Sequence, residues 1–169
     1  MRATRQVVPW LEAVAWMGVV FSLSGDSFAA SRTLALLRYG NELFHVGLTE
    51  GTLLLLNWTI RMTAHFGIYF VLGLLVYRAQ AGDLSRFILR YACWTLLVGL
   101  LYALTDEFHQ SFSHMRTPSL YDAGLDFAGV VAAQASILIR SVLSPSPPQR
   151  PAPATNSPAT TASEPTAQS

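Results

Sequence analysis

The chain has 169 residues, of which 51% are hydrophobic and only 12% charged, and its formal net charge is +1. An ordinary soluble domain carries about 25% charged residues, so this composition argues against one and for a membrane protein. The near-neutral charge, with no basic cluster, excludes an electrostatic nucleic-acid binder, and a single cysteine, Cys93, excludes an intramolecular disulfide. Cys93 lies in a hydrophobic stretch with no cationic neighbour, which predicts a small buried side chain and not a reactive thiolate.

Val7 to Leu23 follows Arg2 and Arg5 and is apolar over a length close to that needed to span a bilayer. A positive start before an apolar run also describes a signal peptide, but this run is longer than a usual signal core and three further spans follow. Glu12 falls inside the run, near its cytoplasmic end, where it is expected to snorkel to the interface, a buried partner being the alternative. Ser24-Gly25-Asp26 reads as a turn, and the stretch from Ser31 to Arg38 as a short helix capped by Ser31. Thr49 to Ile60 is apolar but too short to span alone. It belongs at the outer surface or in the first turns of the next helix, with Trp58 in the interfacial aromatic belt.

Arg61 to Arg78 is the second expected span. Arg61, His65 and Tyr69 repeat every fourth residue and so share one helix face, with Gly73 on the same stripe allowing close approach of another helix. Phe87 to Thr105 is the third span and Leu120 to Leu143 the fourth. Residues 144–169 are dense in Pro, Ala, Ser and Thr with no apolar periodicity, the composition of a disordered tail. The expected fold is therefore all-α: a polytopic membrane helical bundle of about four transmembrane helices over residues 1–143, followed by the tail. With the N-terminus inside, seven arginines are cytoplasmic (Arg2, Arg5, Arg78, Arg86, Arg90, Arg140, Arg150) and four external (Arg32, Arg38, Arg61, Arg116). That imbalance favours cytoplasmic N- and C-termini in the cell membrane.

Between the last two spans, Asp106, Glu107, His109, Gln110, His114, Arg116, Asp122 and Asp126 gather in an otherwise apolar sequence. Ionisable groups at membrane depth are costly and mark a functional site by default. Asp106, His109 and Gln110 share a helix face if the third helix continues past Thr105, while Glu107 points elsewhere. Asp122 and Asp126 lie on one stripe, with Asp126 about 5 Å deeper. A carboxylate there needs a partner, and Arg61, Arg116, His65 and His109 are the candidates. A more ordinary reading exists for several members. Ser119 and Asp122 have capping-box spacing after Pro118. Gly129 with Ala133 is a small-residue packing pair, and Tyr69, Phe108 and Phe112 fit packing or interface roles. His109 with Asp106 or Glu107 would make an acid/base pair tunable by burial. Two histidines among carboxylates have the donors for a divalent metal, but no metal-binding spacing is present and none is assigned. No nucleotide, dinucleotide or hydrolase motif defines a reaction or a cofactor.

At these residues the chain resembles the VanZ-like family of bacterial membrane proteins. One family signature, DExHQxF followed by an arginine, an aspartate and a glycine, is matched by Asp106 to Phe112, Arg116, Asp122, Asp126 and Gly129. A second is matched by Asn57, Arg61, His65, Tyr69, Leu72 and Gly73, and Phe21 to Ser24 is similar to the family's first-span exit. The resemblance covers roughly residues 10 to 140. The sequence departs from the pattern at Ser113-His114-Met115, where Pro-Gly is usual, at Met62 for Lys, and at Asp126 for Asn. The resemblance implies a multi-spanning envelope protein linked to teicoplanin-type glycopeptide resistance and supplies no reaction. Asp106, Glu107 and His109 are then the candidates for proton transfer. Arg61, His65, Gln110, Arg116, Asp122 and Asp126 are the candidates for binding. The expected partners are membrane lipid and a lipid-linked wall precursor or a glycopeptide, with homo-oligomers allowed and no nucleic acid. The alternative is a membrane-embedded enzyme acting on a lipid-linked or phosphorylated substrate at the outer leaflet.

Overall fold

A computed structural model describes residues 2–24, 30–112 and 119–143 of the chain, apart from the side chains of residues 2–6 and 30. The described residues form five α-helices and no strand: α1 (Arg2–Leu23), α2 (Ala30–Leu43), α3 (Glu50–Ala81), α4 (Leu89–Gln110) and α5 (Leu120–Leu143). The expected tail at 144–169, and Arg116 with its neighbouring loop, lie outside the described residues.

The longest element is α3, at 32 residues. It absorbs the apolar segment before Arg61, so the helix begins well before the expected span: Thr49 is the N-cap, its hydroxyl accepting from the Thr52 amide. Gly82, at φ 85°, ends the helix and returns its N–H to the Arg78 carbonyl. At 1.5 Å per residue α3 is about 48 Å long, against about 30 Å of bilayer hydrocarbon. The excess matches the stretch before Arg61. Both α3 and α5 are long and apolar enough to cross a membrane, and the apolar part of α1 runs over Val7–Leu23. Although α4 has a similar length, it carries Arg90, Asp106 and Glu107. Ser31 lies inside α2 and not at its cap, because the helix starts a residue earlier and runs on to Leu43.

All four other helices pack on α3, most extensively α5. The two run parallel, since His65 meets Asp126 and Gly73 meets Gln134. Small residues make this approach possible: a Cβ on Gly129 would sit 2.4 Å from the Phe66 carbonyl oxygen, and one on Gly73 2.9 Å from the Ala133 Cβ. The packing roles expected of Gly73, Gly129 and Ala133 are the ones they have. Opposite, α1 is antiparallel to α3, through Trp16 donating to the Ile68 carbonyl (2.9 Å) and Arg78 to Glu12 (2.9 Å). Glu12 thus has a partner on another helix and does not simply reach to an interface. At the turn after α3, Tyr77 bonds both to the Arg86 carbonyl and to the Ile88 amide, which fixes the return into α4.

Beside an apolar core, many polar groups are buried and many large apolar side chains face outward. His65, Thr95, Asp106, Glu107, Gln110, Asp126 and Gln134 are buried, while Leu11, Val14, Leu55, Trp58, Trp94, Leu101 and Ile139 face outward. Cys93 also faces outward, contrary to the expectation that it is buried. It lies on the outward face of α4, next to exposed Trp94 and away from buried Ala92 and Thr95.

Candidate functional site

The stripe on α3 delivers Arg61, His65 and Tyr69 to the interior. There His65 Nδ1 lies 2.9 Å from Asp126 Oδ1, with Asp126 fully buried. Of the partners conceivable for Asp126, the histidine on α3 is the one it meets among the described residues, Arg116 lying outside them. The second oxygen of Asp126 has no hydrogen-bond partner among the described residues. Tyr69 is also fully buried, its ring near Tyr102 (6.1 Å between centroids) and its hydroxyl in the field of the Asp106 and Asp126 carboxylates.

Asp106 and Gln110 turn inward together, as their spacing predicts. Gln110 Nε2 donates to Asp106 Oδ2 at 3.2 Å and to Ser24 Oγ at 3.0 Å, which ties the end of α4 to the end of α1. His109 takes another direction. It is half-buried against the Phe21 ring of α1, centroids 4.1 Å apart, and no hydrogen bond joins it to Asp106 or Glu107 among the described residues. The geometry therefore brings Asp106 and His65 into one interior and leaves His109 at its edge.

Glu107 has a role that local spacing hides. Its Oε2 accepts the Ser119 backbone N–H at 2.6 Å, so the carboxylate that caps the start of α5 comes from α4. A carboxylate at a helix N-terminus is stabilising by about 0.3–1 kcal/mol when exposed and by up to about 2 kcal/mol when partly buried. The capping-box reading gave this place to Asp122. Asp122 instead faces Arg61, with 4.0 Å between Oδ2 and Nη2. Asp106, Asp122, Asp126 and Glu107 lie near enough for their fields to overlap.

A cavity of about 180 Å³ opens beside this network. Its walls are apolar, from Val20, Leu23, Ile60, Ala64 and Ile68, and its polar groups are Ser24, Thr33, Arg61, His65 and Asp106. Arg61 stands between this cavity and a second, shallower recess lined by Asn57, Trp58, Tyr121 and Asp122. Its Nε is buried with no acceptor among the described residues, and its one ion pair is the long contact with Asp122. An incompletely neutralised guanidinium at the edge of an apolar chamber can bind a carboxylate or phosphate bidentately. Among the described residues no group of three His, Cys, Asp or Glu side chains has the geometry to hold a metal ion. Ser24 and Thr33 were missed as site residues by sequence reading. Ser24 stands out in the sequence only as part of a turn and of the first-span exit that resembles the family, and Thr33 gives no local signal at all.

The class of molecule is thus a small helical bundle with a partly buried arginine–histidine–carboxylate network at one end. The VanZ/LLP1 family model matches residues 10–141, which takes in all the described part of that network, and the chain belongs to this family. No curated protein and no solved structure matches the chain.

Proposed function

We propose that this is an integral membrane protein of the bacterial cell envelope that receives the anionic head of a lipid-linked wall precursor in the Arg61 cavity. By this means it lowers susceptibility to teicoplanin-type glycopeptides. The proposed topology has four spans, α1, α3, α4 and α5, with both termini cytoplasmic and the cavity toward the outer leaflet. The buried ionisable groups and the outward-facing apolar surface support a bilayer setting. So do the alternating directions of these four helices and the excess of arginine at the opposite end. The observation that carries the ligand reading is Arg61: a half-neutralised guanidinium beside an apolar chamber suits an amphiphile with a negative head.

The test is expression in a glycopeptide-sensitive host. The wild-type chain is expected to raise the inhibitory concentration of teicoplanin several-fold, and Arg61→Ala to abolish the increase at equal membrane abundance. An unchanged concentration with the wild-type chain removes the resistance role, and equal protection by Arg61→Ala removes the cavity from it.

A second reading, an enzyme acting on a lipid-linked or phosphorylated envelope substrate, is favoured by one observation. His65, held by Asp126, lies on the wall of the same cavity as Arg61. A histidine oriented by a carboxylate is suited to take up a proton, beside an anion that Arg61 would hold. Phosphate release from lipid phosphates by purified protein, lost in His65→Gln, would select this reading. Binding without turnover would select the first.

A further inference from the structure

At the other end of the bundle α1 and α4 part. Their contacts lie toward the site: Tyr102 donates to the Met17 carbonyl at 2.6 Å, Phe21 lies against His109, and Gln110 bonds Ser24. On the side of Trp10 and Trp94 an open groove of about 410 Å³ runs between the two helices, lined by Trp10, Gln80, Arg90, Tyr91, Trp94 and Val98. It shares no lining residue with the Arg61 cavity.

The groove has two chemically distinct parts. One is cationic. Arg90 lies over the Tyr91 ring, 4.6 Å from its centroid, and donates to the Tyr91 hydroxyl at 2.7 Å. These contacts hold the guanidinium in place without neutralising it, and among the described residues no carboxylate lies within ion-pair distance of it. The two acids at this end are engaged elsewhere: Glu12 with Arg78, and Asp83 with the amide and hydroxyl of Ser85. The other part is apolar and faces outward, with Trp10 45% and Trp94 60% exposed and Leu97 and Leu101 continuing along α4. Tryptophans of this exposure suit the level of lipid headgroups, and the leucines beyond them suit acyl chains.

We propose that this groove is a binding site for one anionic glycerophospholipid, whose phosphodiester sits on Arg90 and one of whose acyl chains lies between α1 and α4 along Trp10, Trp94 and Val98. Arginine binds phosphate oxygens in a fork, and a zwitterionic head offsets the phosphate charge with its own cation, so a net negative head is preferred. The open apolar wall favours a lipid over free phosphate, which would have no use for it.

The test compares phosphatidylglycerol with phosphatidylcholine of identical chains, added to the full chain in detergent and read by native mass spectrometry. Wild-type protein is expected to retain phosphatidylglycerol several-fold more than phosphatidylcholine. Arg90→Ala loses the preference, and Arg86→Ala, which removes a charge at the same end outside the groove, keeps it. Equal retention of the two lipids by wild type, or equal loss in the two variants, overturns the site. A second readout does not depend on the fold of the Arg90→Ala variant. Phosphatidylglycerol brominated on its chains should quench the tryptophan emission of the wild type more than brominated phosphatidylcholine does, and Trp94→Phe should remove most of the difference. Quenching indifferent to headgroup would contradict the proposal.

Discussion

His65 and Asp126 are the residues on which the interior depends most. A carboxylate with no exposed surface has given up its hydration, and one hydrogen-bonded imidazole is its visible recompense. Removing one member of such a pair strands the other, at a cost of about 3–5 kcal/mol. His65→Ala is therefore expected to destabilise the protein by about that amount. Asp126→Asn should cost much less, because an amide of the same shape still offers the imidazole a partner. The double replacement His65→Ala/Asp126→Ala should cost less than the sum of its parts, with a coupling of about 0.5–3 kcal/mol. Thermal unfolding in detergent measures all of these, and strict additivity would mean that the two do not act as a unit.

Single residues also show where sequence reading succeeds and where it stops. The spacing of Arg61, His65 and Tyr69 is visible because a helix repeats every 3.6 residues, and the structure places all three facing inward. That Asp126 requires a partner follows from its depth. Which partner it takes does not, because helix rotation and approach are set by packing far away in sequence. Glu107 is the clearest example. Its partner is a backbone amide twelve residues on, across a helix boundary, and the nearer Asp122 has the better local spacing for the same task.

Among the elements, α5 was the most legible, its expected bounds Leu120 to Leu143 being those observed. Pro118 and Ser119 before it and the polar composition after it are strong local signals. The start of α3 was not fixed, because a run of leucines is equally consistent with a surface segment and a longer helix, and Thr49 as N-cap settles it only with the structure. The glycines give an element-scale prediction. Gly129→Ala would force a methyl into the Phe66 carbonyl, separating α3 from α5, and overpacking of this kind costs about 1–3 kcal/mol. Gly124, on the same helix, faces open space, so Gly124→Ala should be neutral or stabilising by up to about 1 kcal/mol. Unfolding midpoints of the two variants check this. Equal effects would show that the α3–α5 contact is looser than the distance from Gly129 to Phe66 requires.

For the whole molecule, the directions of the helices constrain any membrane topology. The parallel pair α1 and α4 and the parallel pair α3 and α5 run opposite ways, so the α3–α4 turn and the α2–α3 loop must lie at opposite ends. Cysteine labelling tests the orientation, on a Cys93→Ala background that removes the outward-facing thiol. Val46→Cys should react with an impermeant maleimide in intact cells, and Ser85→Cys only after permeabilisation. The reverse pattern would place the Arg61 cavity on the cytoplasmic side and defeat the outer-leaflet proposal.

The parallel contact of α3 and α5 also has a consequence in time. His65 and Asp126 are 61 residues apart, and α5 is made after α3 and α4. During synthesis α3 is complete long before its main packing partner exists, and its histidine must wait without the carboxylate that will hold it. A chain interrupted before Asp126 would hold α1, α3 and α4 whole and still lack the carboxylate that His65 meets. Until α5 arrives, the face of α3 that receives Gly129 stays uncovered, and exposed surface of this kind makes a nascent chain prone to misassembly.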